Sequence, residues 1–340
     1  MKKLLLFSLT IISSFLLSQK FTIDTLLTDK ISIRAIQLWD GKGWYAGTDS
    51  KFGYVDLENV NNKKQIRLSQ KSLQFRTLAQ NNKYFYAINI ESPAYFFQVD
   101  KKTLDSKVVF NDNDPTAFYD ALKFTDHNFG LAFSDPSANQ RLNISQTRNG
   151  GANWINCKNC KDFPYLEKGE AAFAASNTNI ASFRNVIWIA TGGAKSRIYR
   201  MKNKDCNWQV FETPFTQGTS SQGIYSIDFF DKNFGIAVGG DYTKQSDNIN
   251  NIATTNDGGQ TWQIQASGQN AGYMTCVKFR PKTKGKEIVA VGDQHISFSS
   301  DYGKTWTKIS DEKSLYACEW LNKNTLILAG KDKIIKMNFQ

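Results

Sequence analysis

Apolar and polar residues alternate over most of the chain from Phe21 to Phe339, and no long segment has the period of about 3.6 residues that marks an amphipathic helix. This alternation predicts strands with one buried and one solvated face. A strand-rich unit begins again about every 40 to 55 residues, a spacing typical of propeller blades. The pattern therefore predicts an all-β repeat fold.

Seven segments have the pattern of the innermost strand of a blade. They are residues 32–36, 74–78, 118–122, 171–174, 224–227, 273–277 and 315–318. Two units are closely alike, since residues 124–132 and 229–237 share the turn sequence Asp-x-Asn-Phe-Gly. The count predicts a seven-bladed β-propeller. Six or eight blades are the alternatives, because the first two units rest on pattern alone.

Both ends of the chain carry an incomplete unit. Residues 21–27 alternate like a strand but belong to no full unit, and the last unit ends with residues 333–339, one strand short of four. Pairing these two segments would remove two exposed sheet edges. We therefore expect the N-terminal strand to complete the last blade and close the ring.

Three stretches share the form Ser/Thr-x-Asp/Asn-x-Gly-x-Thr/Asn-Trp, and we call them the tryptophan turns: residues 147–154, 255–262 and 299–306. In a tight hairpin the Asp or Asn bonds to nearby amides, and the Gly takes a backbone angle that side chains disfavour. The Trp covers a neighbouring sheet. The residues expected to act structurally are Asn149, Gly151, Trp154, Asp257, Gly259, Trp262, Asp301, Gly303 and Trp306.

The N-terminus has the pattern of a secretory signal peptide. Lys2 and Lys3 precede an apolar run over residues 4–17, and Ser18 offers a small residue before Gln19. At about 14 residues the run is short for a membrane span, although an uncleaved anchor is the alternative. With no Pro-rich or Gly/Ser-rich linker, we expect a signal peptide over 1–18 and one propeller domain over 19–340. The mature protein is then exported to the periplasm or secreted, and is not an integral membrane protein.

The chain carries a formal charge of +11, but its basic residues are scattered and the densest group is only residues 282–286. Nucleic-acid binding favours a concentrated basic stripe with interleaved aromatic residues, so we expect no nucleic-acid partner. Acidic proteins, glycans or anionic lipid head groups suit such a surface better. A charge that serves only solubility is the alternative.

Five cysteines leave at least one unpaired. Cys157 and Cys160 suit a zinc half-site, a redox pair or a local disulfide, but two histidines and no second such pair disfavour zinc. A thioredoxin-like role needs a βαβ context that is absent. A disulfide between Cys157 and Cys160 and two free thiols therefore remain as alternatives. The other three are expected to be buried or isolated thiols: Cys206, Cys276 and Cys318.

The tryptophan turns resemble the Asp-box, or BNR, repeats of sialidase-type propellers. The wider layout resembles the photosystem II stability/assembly factor-like family of exported seven-bladed propellers with WD40/YVTN-like repeats. Residues 133–136, 169–177, 188–193 and 238–242 carry that similarity, which spans about residues 120–306. The resemblance implies a binding or assembly protein. Some bacterial relatives carry an oxidoreductase label.

Sequence signatures of catalysis are weak. Residues 192–196 depart from a phosphate loop, and no dinucleotide or haem motif occurs, so we expect no cofactor. Residues 111–114 lack the glycine and glutamate of a calcium loop, so we expect no metal. A sialidase-like glycoside hydrolase is the alternative function, although no arginine has the sequence context of the first sialidase arginine.

Residues at the start of innermost propeller strands surround the central channel. This register predicts a funnel lined by Arg34, Arg76, Tyr119, Asp120, Glu170, Tyr225, Tyr273 and Tyr316. Arginine and tyrosine concentrate binding energy at protein interfaces, although packing at strand edges would also explain the tyrosines. We predict a non-enzymatic propeller whose funnel binds a protein or glycan-bearing envelope partner. In the hydrolase alternative, Asp120 and Glu170 are the candidate carboxylates.

Overall fold

The computed structural model of the chain describes residues 20–136, 138–157 and 163–340. Within these ranges every regular element is a β-strand, which confirms the all-β prediction. The predicted signal peptide and Cys160, one half of the predicted disulfide, lie outside the described residues. In the described ranges no helix is long and apolar enough to span a bilayer.

The strands form six hydrogen-bonded sheets. The first sheet contains β1 (Phe21–Trp39), β2 (Lys42–Gly47), β3 (Lys51–Asp56), β4 (Lys63–Arg67), β27 (Leu315–Trp320) and β28 (Thr325–Phe339), in the order β27-β28-β1-β2-β3-β4. The second contains β5 (Ala79–Gln80), β6 (Tyr84–Ile88), β7 (Ala94–Asp100) and β8 (Ser106–Asp112). The third contains β9 (Tyr119–Phe124), β10 (Gly130–Ser134), β11 (Asn143–Thr147) and β12 (Ile155–Asn156).

The other three sheets follow in the second half of the chain. The fourth contains β14 (Ile180–Phe183), β15 (Val186–Ala190), β17 (Arg197–Lys202) and β18 (Trp208–Glu212). The fifth contains β13 (Glu170–Ala171), β16 (Gly192–Gly193), β19 (Gln222–Phe229), β20 (Gly235–Asp241), β21 (Ile252–Thr255) and β22 (Gln263–Ile264). The sixth contains β23 (Cys276–Phe279), β24 (Ile288–Val291), β25 (Ile296–Ser299) and β26 (Thr307–Ser310).

The prediction of seven blades is wrong, because the structure is a six-bladed propeller with one blade for each sheet. The difference arises at the chain ends. β1 pairs with β28 through its first half and with β2 through its second half, without a break between them. The first and last predicted units therefore belong to one six-stranded sheet instead of two separate blades.

The predicted ring closure is confirmed. Phe21 pairs with Phe339 and Leu27 with Ile334, in antiparallel register. Leu27 and Ile334 are buried in the same apolar cluster, so the pairing covers side chains as well as strand edges. The two ends of the chain thus hold the ring together by main-chain hydrogen bonds and apolar burial.

The second tryptophan turn shows how its motif fixes a tight connection. Asp257 Oδ1 accepts hydrogen bonds from the backbone N–H of Gln260 and of Thr261, both at 2.9 Å. Gly259 has φ +84°, a left-handed conformation that favours glycine. The buried Trp262 donates its indole N–H to the Gly259 carbonyl at 3.2 Å. Hydrogen bonds at both Asp257 and Trp262 therefore fix the conformation of the turn.

The other two tryptophan turns differ in how completely they repeat this pattern. In the third, Asp301 accepts from the Thr305 N–H and Trp306 donates to the Gly303 carbonyl, both at 2.9 Å. In the first, the indole N–H of Trp154 is buried without a partner among the described residues. This missing bond matches the looser sequence of the first turn.

We predict that Trp262 is structural, so Trp262→Ala should lower the free energy of unfolding by about 3–5 kcal/mol through lost burial and a residual cavity. Denaturant unfolding measures this change. The control is Tyr302→Ala, which removes a more exposed ring at another tryptophan turn and should cost under about 1 kcal/mol. A Trp262→Ala protein of unchanged stability would contradict the assignment.

Candidate functional site

A central cavity of about 440 Å³ lies where the innermost strands converge, and we call it the funnel. Five of the eight residues predicted to line it do so: Arg34, Arg76, Tyr225, Tyr273 and Tyr316. Arg34 and Tyr316 lie in the first sheet and Tyr225 in the fifth, whereas Arg76 and Tyr273 lie in the segments before β5 and β23. Separate repeats therefore contribute to one surface. Its remaining lining includes residues that the sequence analysis missed, among them Phe173, Tyr242 and Asp293.

A repeated irregularity in the innermost strands marks these positions. In four such strands the antiparallel register shifts by one residue, and the residue without a cross-strand partner is Arg34, Asp120, Tyr225 or Tyr316. A β-bulge of this kind re-aims the side chain of its extra residue. Three of the four side chains line the funnel. The bulge is thus the local feature that places Arg34, Tyr225 and Tyr316 there.

Tyr119 does not line the funnel, because it precedes the bulged residue of β9 and lies in the core instead. It is fully buried and packs edge-on against Phe96 at 5.1 Å. Its hydroxyl lies 3.0 Å from Asp112 Oδ2 and 2.8 Å from Ser145 Oγ. The structure therefore assigns Tyr119 to packing between the second and third sheets.

Glu170 is also absent from the funnel lining. Its carboxylate is buried and accepts hydrogen bonds from Arg197 Nε at 3.0 Å, Tyr199 Oη at 2.9 Å and Thr191 Oγ1 at 2.6 Å. The sequence placed an innermost strand at residues 171–174, whereas the innermost strand of the fourth sheet is β14. Glu170 is therefore the centre of a structural ion-pair network.

Asp120 lies behind the funnel wall. It is fully buried, and neither carboxylate oxygen has a hydrogen-bond donor among the described residues. Burial raises the pKa of Asp120 well above its usual range, and the negative charge of Asp135 raises it further, against the opposing effect of Arg76. Burial likewise raises the pKa of Asp135 to about 6. Because Asp120 ionises less readily than an exposed aspartate, it offsets less of the positive charge of Arg76.

Two guanidinium groups make one part of the funnel cationic. Arg34 lies over the Tyr316 ring at 4.0 Å from its centre and donates to the Ala175 carbonyl at 3.2 Å. Arg76 is half-buried and makes no hydrogen bond or ion pair within the described ranges. Burial and, after it, the charge of Arg34 lower the pKa of Arg76. Two guanidinium groups that repel each other in this way favour an anionic ligand between them.

Another part of the funnel is aromatic. The rings of Phe173 and Tyr225 stack at 3.8 Å and 2°, and Tyr273 meets Tyr225 edge-on at 4.8 Å and 90°. Tyr242 adds a ring that is 52% exposed. Flat, rigid rings of this kind bury apolar groups of a ligand at a small cost in entropy. Phe173 and Tyr242 lie in loops, although the sequence pattern predicted a strand over residues 171–174.

Residues 175–178, which we call the axial segment, cross the centre of the ring below the funnel. Ser176 Oγ donates to the Thr275 carbonyl at 2.6 Å, just before β23. Thr178 Oγ1 lies 2.7 Å from Ser226 Oγ in β19. The segment also accepts the Arg34 hydrogen bond and leads into β14. It therefore joins the first, fourth, fifth and sixth sheets.

Asn177 extends these contacts to the two remaining sheets. Its amide Nδ2 donates to the carbonyls of Leu78 at 2.9 Å and Leu122 at 3.2 Å, and its Oδ1 accepts from the Leu122 N–H at 2.8 Å. Asn177 has φ +61°, a left-handed conformation that asparagine tolerates. The axial segment thus contacts all six sheets and closes the bottom of the funnel.

A second cavity, of about 110 Å³, lies on the other side of the axial segment. Its charged lining consists of Lys123, Lys278, Asp228 and Glu319, and Lys278 donates to Glu319 at 2.7 Å. Two positive and two negative side chains balance each other, so this cavity lacks the cationic character of the funnel. Among the described residues no group of three His, Cys, Asp or Glu side chains is placed to hold a metal ion.

The six sheets around a closed central funnel define a β-propeller. YCF48 bound to D1 peptide aligns with a TM-score of 0.65 at 12% identity, covering 94% of this chain and 96% of that one. YCF48 from Cyanidioschyzon merolae aligns with a TM-score of 0.64 at 13% identity, covering 94% and 98%. The RRP9 WD40 repeats align with a TM-score of 0.66 at 10% identity, covering 94% and 97%.

These likenesses establish the fold alone, because all three identities are low. No family model matches the chain, and no curated protein matches it either. The chain is thus similar in fold to YCF48 and to WD40 propellers.

We predict that Asn177→Ala should lower the free energy of unfolding by about 2–4 kcal/mol, because it leaves buried backbone groups unpaired and forces alanine into a left-handed conformation. The control is Asn185→Ala, which removes an exposed amide that bonds only to Asn203. Denaturant unfolding of both variants makes the comparison. Equal stabilities would show that the axial segment does not hold the ring together.

Proposed function

We propose that this chain is an exported, non-enzymatic propeller that binds a protein partner through the funnel. The ligand is a peptide segment that carries a carboxylate close to an apolar side chain. The observation that carries this proposal is the pairing of two kinds of surface in one cavity: the guanidinium groups of Arg34 and Arg76, and the stacked rings of Phe173 and Tyr225.

The part of the funnel that contains Arg34 and Arg76 favours a negatively charged group of the ligand. Arg76 has no hydrogen-bond partner within the described ranges, so a carboxylate of the ligand can supply one. Hydrogen bonds between guanidinium and carboxylate groups are among the stronger ones in proteins, and a half-buried position strengthens them further. The aromatic part then adds affinity by burying an apolar side chain.

Two lines of similarity support a peptide ligand and an exported protein. One structural neighbour is a YCF48 propeller bound to a D1 peptide, and it covers nearly the whole of this chain. The tryptophan turns and the layout of residues 120–306 resemble Asp-box repeats and the exported photosystem II assembly factor-like family. The charged and apolar pattern of residues 1–18 favours export.

The hydrolase alternative finds less support in the cavity. Glycoside hydrolases generally act through a pair of carboxyl groups that flank the scissile bond. Of the two nominated carboxylates, Glu170 is engaged in a buried ion pair and Asp120 lies behind the wall. Among the described lining residues, Asp293 is the single carboxylate. Binding without turnover therefore suits the funnel better.

The binding prediction concerns the arginines. Arg34→Ala and Arg76→Ala should each weaken peptide binding by about 1–3 kcal/mol, because each removes a partner of the ligand carboxylate. The probe is a pool of short labelled peptides in which Asp or Glu adjoins Phe or Leu. A second pool with Asn or Gln in place of the acid should bind more weakly to the wild type. Titrations by fluorescence anisotropy measure both effects.

The matched control is Arg67→Ala, which removes an exposed guanidinium that pairs with Asp49 outside the funnel. It should leave binding unchanged, and circular dichroism should show the same fold for all variants. Unchanged affinity in the Arg34→Ala/Arg76→Ala double variant would refute the funnel proposal. Turnover of a sialoside by the purified protein would instead support the hydrolase alternative.

Export has its own test. Protein recovered from the producing cell should begin at Gln19, as N-terminal sequencing would show, because cleavage follows the small residue Ser18. A chain that retains Met1 and stays in the cytoplasmic fraction would contradict export while leaving the binding proposal intact.

A further inference from the structure

Two cysteines meet inside the core at the boundary between the sixth and first sheets. Cys276 begins β23 and Cys318 lies in β27. Both side chains are buried, with exposed fractions of 0% and 2%, and their Sγ atoms are 3.7 Å apart. The sequence predicts buried or isolated thiols at both positions. The structure keeps them buried but brings them together.

The surroundings of this pair shift the pKa values of its two thiols in opposite directions. Burial opposes ionisation of Cys276, but the hydrogen bond with Cys318 and the charge of Lys278 outweigh it and lower its pKa. The same hydrogen bond, with burial, raises the pKa of Cys318. Since the thiolate is the reactive form, Cys276 is the better nucleophile of the two.

The two sulfur atoms are in non-bonded contact at 3.7 Å. A disulfide has a sulfur–sulfur distance of about 2.05 Å, so the pair must close a gap of roughly 1.7 Å. Bond formation therefore requires rotation of the two short side chains together with small shifts of β23 and β27. Cys206, by contrast, is partly exposed in the turn between β17 and β18.

We propose that Cys276 and Cys318 form a disulfide that joins the sixth and first sheets when the chain folds in the presence of a disulfide oxidant. The Cys276 thiolate attacks one sulfur of the oxidant, which releases one thiol and leaves a mixed disulfide. The Cys318 thiolate then attacks Cys276 Sγ in that mixed disulfide and releases the second thiol. The cysteine pair loses two protons and two electrons, and the oxidant gains them as two thiols.

The bond forms late in folding, after β23 and β27 have come together and before the finished core excludes a bulky oxidant from both sulfur atoms. The position of this disulfide would stabilise the closure of the ring. The first sheet contains both ends of the chain, so its contact with the sixth sheet is where the last part of the ring meets the rest. A covalent link there limits the freedom of the unfolded chain and so favours the closed ring. This inference does not depend on what the funnel binds.

The test is to refold the reduced, denatured protein in a mixture of oxidised and reduced glutathione. Free thiols are then alkylated in denaturant, which exposes buried cysteines, and a tryptic digest is analysed by mass spectrometry. Trypsin separates the two cysteines, because Cys276 lies in the peptide 245–278 and Cys318 in the peptide 314–323. We expect these two peptides to be linked to each other, and to separate after treatment with dithiothreitol.

The link should also change stability. The oxidised protein should melt about 5 °C or more above the reduced protein. Cys318→Ser should abolish both the linked peptides and this difference, whereas Cys206→Ser should keep both. Linkage of the peptides that hold Cys157 and Cys160 would appear at different masses.

Alkylated Cys276 and Cys318 in protein refolded with oxidised glutathione would overturn the proposal. The same holds if the only modification found there is glutathione on a single cysteine. If Cys318→Ser does not fold, the peptide map of the wild-type protein still decides the question.

Discussion

Hydrogen bonds from four residues on the propeller axis hold this ring at its centre. The axial segment, residues 175–178, contacts all six sheets through its main chain and three short polar side chains. A ring of sheets must either fill its centre or leave it open to water, and here the chain fills it with groups whose hydrogen bonds are satisfied. The depth of the funnel and the separation of the two cavities both follow from this choice.

The funnel surface depends on a second structural feature, the repeated β-bulge. One extra residue in an innermost strand turns a side chain that would lie between sheets toward the axis. The bulges at Arg34, Tyr225 and Tyr316 bring three side chains that are far apart in sequence together at the funnel. At Asp120 the same irregularity coincides with a buried carboxyl group, whose pKa is raised by burial and by Asp135 and lowered by Arg76.

Much of this architecture could be predicted from the sequence, because alternation and turn residues are local signals. They gave the strands, the ring closure and five funnel residues. The blade count failed because β1 runs from one predicted unit into the next without a turn signal. Glu170 was misplaced because residues 171–174 were predicted as an innermost strand, whereas Glu170 and Ala171 form the short strand β13, which pairs with β16. The axial segment was not predicted because its role depends on tertiary contacts, which leave no period in the sequence. Phe173 was not predicted as a lining residue because residues 171–174 were interpreted as a strand, whereas Phe173 lies in a loop.

The closed centre of the ring has a topological consequence for any ligand. Because the axial segment blocks the passage between the two faces, a polypeptide cannot thread through the propeller as through an open pore. A ligand that enters the funnel must leave by the same mouth, so a polypeptide reaches the floor only with a free terminus or a projecting loop. The fold thus restricts which part of a partner can be recognised before any side chain selects its chemistry.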